Sequence, residues 1–135
     1  MSDFSLHPQL AADCRPLASL PLSELLLHRN AAVPWFILVP RVNETELCDL
    51  AAPDRVQLQR ETDAVARFVR ERFDVSKLNV AAIGNLVPQL HVHVVGRHTE
   101  DPCWPNPVWG YLKDGAEWSE DQVASLRDAV RALAA

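Results

Sequence analysis

The run Gln89-Leu90-His91-Val92-His93-Val94-Val95 alternates polar and apolar residues until its last step. A strand sends successive side chains to opposite faces. The run therefore predicts a strand from Gln89 to Val95, with Gln89, His91 and His93 on one face and Leu90, Val92 and Val94 on the other. The apolar face belongs against a core. Two imidazoles and a carboxamide in a row are costly to bury without partners, so the opposite face is wet or functional. A strand of this kind needs neighbouring strands and a second layer over its apolar side.

Candidates for both are visible. Leu25-Leu26-Leu27-His28 reads as a strand and Arg29-Asn30-Ala31-Ala32 as the turn after it. Trp35-Phe36-Ile37-Leu38-Val39, bounded by Pro34 and Pro40, reads as a buried strand, and the two segments form a hairpin. Pro53-Asp54 opens a helix running to about Phe73, with Asp54 as its cap and Val65, Phe68 and Val69 as its apolar stripe. Arg60, Glu61, Arg67, Arg70 and Glu71 are assigned to its solvated face. Lys77 to Ala82 is a third strand, and Gly84-Asn85 turns the chain into the histidine strand. Ser119 and Gln122 form a capping box ahead of Val123, Leu126, Val130 and Leu133 at helical spacing. The first twenty residues, interrupted by Pro8 and Pro16, read as irregular or briefly helical. The expectation is one α+β domain over residues 1–135, with its core at about 20–112 and a C-terminal helix at about 119–134.

Pro102-Cys103-Trp104-Pro105-Asn106-Pro107-Val108-Trp109-Gly110 is too rich in proline for a helix and too rich in indoles for a flexible linker. It reads as a rigid loop whose tryptophans cover the core, wall a binding site or meet another subunit.

Composition narrows the function. A formal net charge of −5 with scattered basic residues disfavours a nucleic-acid backbone as partner, yet leaves room for a mononucleotide. No apolar run approaches the roughly 20 residues of a membrane span, and Met1-Ser2-Asp3-Phe4 carries no basic stretch leading into an apolar one. Cys14, Cys48 and Cys103 are odd in number and widely spaced, which fits reduced thiols in a cytoplasmic protein rather than a disulfide framework.

Two chemistries can use the histidine row. One imidazole can attack phosphorus while its neighbour assists the leaving group, since histidine titrates near neutrality. Alternatively, His-x-His places two nitrogens toward one metal ion. A closed metal site needs further ligands, and nearby only His98 and acidic residues are on offer.

The stretch from Gly84 to Arg97, with its alternating histidines, resembles the signature of the histidine-triad (HIT) superfamily. Trp104-Pro105-Asn106-Pro107-Val108-Trp109-Gly110 is similar to a bacterial HIT-like subgroup, and His28 to Val39 is similar to the family's first hairpin. The resemblance spans about Leu25 to Gly110. It implies a five-stranded antiparallel sheet with flanking helices, usually paired into a homodimer. It also implies a nucleotide substrate cleaved at the α-phosphate, of phosphoramidate or dinucleoside polyphosphate type. His91 would form a transient nucleotidyl-histidine and His93 would contact the scissile oxygen. Asn85 would contact phosphate, His28 the ribose, and Arg97 the nucleotide. No cofactor is required for that route, although some relatives use a divalent metal.

Two departures stand against the pattern. The first triad position is Gln89, whose carboxamide holds no proton at neutral pH. The backbone carbonyl there, which orients the attacking histidine in the family, survives the exchange. Phe36 stands where many relatives are expected to carry a supporting histidine. The resemblance thus leaves an enzyme and a catalytically weak nucleotide sensor open, while the residues alone also leave a metal-dependent, cupin-like protein.

Overall fold

The computed structural model describes residues 4–134. Met1, Ser2 and Asp3, on which the expectation of no leader partly rests, lie outside the described residues. A short helix α1 (Pro8–Asp13) leads into strands β1 (Cys14–Ser19), β2 (Ser23–His28) and β3 (Trp35–Pro40), then a single 3-10 turn (Leu47–Asp49). Helix α2 (Ala52–Arg72), strands β4 (Lys77–Ala81) and β5 (Val92–Arg97), helix α3 (Glu120–Val130) and a closing 3-10 turn (Arg131–Ala134) complete the order. The five strands form one antiparallel sheet in the order β1-β2-β3-β5-β4, the expected α+β architecture.

The sheet sorts its side chains by parity. Leu25, Leu27, Phe36, Leu38, Val92 and Val94 face a core closed by Leu58, Val65 and Val69 of α2 and Val123, Leu126 and Val130 of α3. Cys14, Leu26, Trp35, Ile37, Val39 and Val95 face a second cluster that includes Leu10 of α1, Val87, Cys103 and Val108. One face is thus covered by the two longer helices, and the other by a short helix and loops.

Four expectations change. β5 begins at Val92 rather than Gln89, because β3 pairs with it only from Trp35↔Val95 to Leu38↔Val92. Residues 89–91 belong to a loop running from Ala82. β1 is a strand that the sequence reading missed. Its Pro16 is tolerated because β1 is an edge strand whose register shifts between Pro16 and Ala18. Asp54 lies within the first turn of α2, where it suits the helix dipole, while the cap is Ala51 without a side-chain bond. Glu61 is buried in the helix stripe: its Oε2 accepts from the Leu22 N–H at 2.8 Å and the Gln57 amide at 2.7 Å. Its place between Leu58 and Val65 on a helical period is what turns it inward. The capping box of α3 forms as expected, with Ser119 Oγ accepting from the Gln122 N–H and Gln122 Oε1 from the Ser119 N–H.

Candidate active site

A cavity of about 690 Å³ opens on the face away from α2 and α3. α1 contributes Gln9, Leu10 and Asp13, with His7 just before it; β2 contributes His28, β3 Trp35 and Ile37, and β5 His93. The loop before β5 adds Gly84, Asn85, Leu86, Val87 and His91, and the proline-rich loop adds Trp109. Among the described residues lining it there are four imidazoles and one carboxylate but no lysine or arginine. Of the six residues singled out from the sequence, His28, Asn85, His91 and His93 share this cavity.

His91 and His93 are both buried, with ring centroids 4.8 Å apart. The Nδ1 of His91 lies 2.7 Å from the backbone carbonyl of Gln89. A carbonyl oxygen can only accept, so Nδ1 carries the proton and the neutral ring keeps its lone pair on Nε2. His93 is wired the other way. Its Nδ1 accepts from the indole N–H of Trp35 at 3.0 Å, which leaves Nε2 as the protonated nitrogen of the neutral ring. Burial, reinforced by His91 and His28, pushes its pKa down to about 3.

His28 stacks on Trp35 with centroids 3.9 Å apart and planes within 8°. Its Nδ1 accepts from the Asn30 N–H at 3.1 Å, and burial lowers its pKa despite the opposing influence of Asp13. Trp109 meets His93 at 5.1 Å and Trp35 at 6.1 Å, both edge-on. The proline-rich loop therefore walls the cavity with one indole. Its other indole, Trp104, lies over the guanidinium of Arg97 at 5.7 Å. Both are engaged within the chain.

The remaining two residues are placed elsewhere. Gln89 does not line the cavity with the histidines. Its carboxamide instead accepts from the His7 N–H at 2.8 Å and donates to the Ser5 carbonyl at 2.9 Å, tying down the segment that leads into α1. Arg97, expected at the nucleotide, is fully buried outside the cavity. Its donors reach both oxygens of Asp101 at 2.7 and 3.0 Å, Asn79 Oδ1 at 3.0 Å and the Asn106 carbonyl at 2.8 Å, and its burial keeps it from a ligand in the cavity. It anchors the proline-rich loop to β5. Phe36 also needs correction as the site of a lost supporting histidine. It faces the helices, against Phe68 and Phe73, and no side chain there can reach the triad.

Trp35 was not among the sequence candidates. Its signal was parity: Ile37 pairs with His93, so Trp35 falls on the histidine face. No described group of three or more His, Cys, Asp or Glu residues is placed to hold a metal ion, and no described helix is long and apolar enough to cross a membrane.

The family profile described as HIT domain matches residues 10–100. No curated protein matches the chain. Among solved structures, a histidine triad protein from Bradyrhizobium japonicum is 40% identical, with a TM-score of 0.89 over 97% of this chain and 98% of the other. One from Marinobacter aquaeolei VT8 is also 40% identical, with a TM-score of 0.89 over 97% and 96%. One from Sinorhizobium meliloti 1021 is 35% identical, with a TM-score of 0.90 over 96% of each chain.

Proposed function

Because the chain belongs to the HIT domain family, we propose that it binds a nucleotide and cleaves it at the α-phosphate through a covalent intermediate on His91. The observation that carries this reading is the 2.7 Å bond from His91 Nδ1 to the Gln89 carbonyl. That bond presents Nε2 as the nucleophile, and the carbonyl dipole steadies the positive charge that the ring gains on attack. The Nε2 lone pair forms the N–P bond, and the P–O or P–N bond to the leaving group breaks with its electrons going to the departing atom. His93 Nε2–H donates a hydrogen bond to that atom. Water then attacks phosphorus, the N–P electrons return to His91, and the surplus proton passes to solvent. No metal or other cofactor enters these steps.

The apolar walls suit a base and sugar. His28 is proposed to contact the ribose, and Asn85 a phosphate oxygen through N–H donors rather than fixed cations. We infer a homodimer working in the cytoplasm, where Cys14, Cys48 and Cys103 remain free thiols. Light scattering on purified protein tests the assembly.

The chemistry is tested by acid-free quenching after incubation with nucleoside phosphoramidates and dinucleoside polyphosphates labelled in the nucleoside. The expected result is a nucleotidyl adduct mapped to His91, with product formation abolished in His91→Ala. Nucleotide binding without adduct or product across the panel would reverse the reading in favour of a sensor.

A further inference from the structure

The indole of Trp35 is a donor with no acceptor, and it holds the one nitrogen through which His93 would gain a second proton. Were Nδ1 protonated, two N–H groups would face each other 3.0 Å apart in a buried setting. The indole cannot turn away easily. His28 lies flat against one of its faces at 3.9 Å, and Trp109 meets it edge-on. We propose that Trp35 is a positioning residue that keeps His93 a neutral Nε2–H donor, so that the site selects nucleotides whose leaving group departs as a stable anion.

This role of Trp35 rests on the function proposed above and narrows its substrate class. A ring locked as Nε2–H can share its one proton in a hydrogen bond but cannot surrender it, because that would leave an imidazolate. His91 Nδ1–H is committed to the Gln89 carbonyl. The other two imidazoles of the lining, His7 and His28, each accept a backbone N–H at Nδ1, so they too keep their one proton on Nε2, and the lining holds no lysine to supply one instead. The P–O electrons must therefore rest on the leaving oxygen itself. Phosphate, sulfate, carboxylate or an acidic phenol accepts them; an alkoxide or a basic amine leaves poorly. Mixed anhydrides of a nucleoside monophosphate are thus preferred over alkyl esters and amidates. The low pKa of His93, about 3, agrees with this geometry.

Two measurements test it. Imidazole ¹⁵N shifts of the whole protein should show His93 with Nδ1 bare and Nε2 protonated across about pH 5 to 8. In Trp35→Phe, which keeps an aromatic face and loses the donor, His93 should begin to titrate within that range. A wild-type His93 protonated on Nδ1, or on both nitrogens, overturns the proposal even if the variant fails to fold. Second, single-turnover rates on nucleoside 5′-phosphate aryl esters of graded phenol acidity should fall severalfold for each unit of lost acidity, and less steeply in Trp35→Phe. A flat series in wild type overturns it. A locked His93 with no turnover of any ester would instead count against the nucleotidyl-histidine reading, so the two failures are distinguishable.

Discussion

Three of the four imidazoles around the cavity have their protons placed by three different partners: a carbonyl at His91, an indole at His93 and a backbone N–H at His28. The histidines themselves were legible, because period-two alternation singles out their face. Their partners were less so. Trp35 became identifiable only once strand pairing set the register, and Gln89 acts through its backbone and its side chain in two directions. Its backbone carbonyl orients His91, while its side chain holds residues 5–7. Gln89→Ala should therefore leave the rate of adduct formation within about an order of magnitude of wild type while weakening nucleotide binding. Separate measurement of single-turnover rate and affinity checks this, and a loss confined to the rate would refute it. Arg97 looked like a ligand contact because it closes the motif, and nothing in the sequence announced that Asp101 would meet it. Removing one partner of a buried ion pair strands the other, so Arg97→Met should cost about 3–5 kcal/mol in urea unfolding. Burial alone would raise the pKa of Asp101, but Arg97 and the N–H groups of His98 and Cys103 hold it below the usual value.

At the scale of elements, periodicity served best where one face is uniformly apolar. α3 satisfies this, α2 does so apart from Glu61 and Thr62, and the β2–β3 hairpin shows itself as a continuous apolar run; each was visible within a few residues of its observed bounds. β1 was hidden because Pro16 removes a donor and breaks the alternation, which only an edge strand with a register shift can absorb. The start of β5 was displaced because alternation says which face a residue would take, not where a partner strand ends. Gly96 shows how closely β5 approaches the layer behind it. A Cβ there would lie 2.6 Å from Val75 Cγ2, 2.8 Å from Pro34 Cγ and 3.0 Å from Val69 Cγ1. Gly96→Ala should destabilise the fold by about 1–3 kcal/mol through overpacking. An unchanged urea midpoint would show that Val75, Pro34 and Val69 yield freely.

For the molecule as a whole, the sheet divides labour between its faces. The side packed by α2 and α3 carries the long apolar contacts, while the other side gives up helical cover to form a cavity lined by imidazoles. That arrangement has a cost that depends on pH. His93 is driven from an ordinary value of 6.5 to about 3, chiefly by burial, and His28 is also lowered by burial. Above pH 6.5 both rings are neutral whether the chain is folded or not, and they contribute no pH dependence. Below it the unfolded chain takes up protons that the folded chain refuses, so stability falls as pH falls. For His93 the slope approaches about 1.4 kcal/mol per pH unit over a window that extends down toward pH 3, and His28 adds to it in the same direction. Urea unfolding between about pH 7 and pH 5 should show this decline. The carboxylates contribute little to it, because most of their titration lies lower. His93→Gln should remove close to one proton from the slope. A profile that stays flat over that range, or a slope unchanged by the substitution, would mean that His93 is solvated in the folded protein and that its contact with Trp35 does not persist in solution.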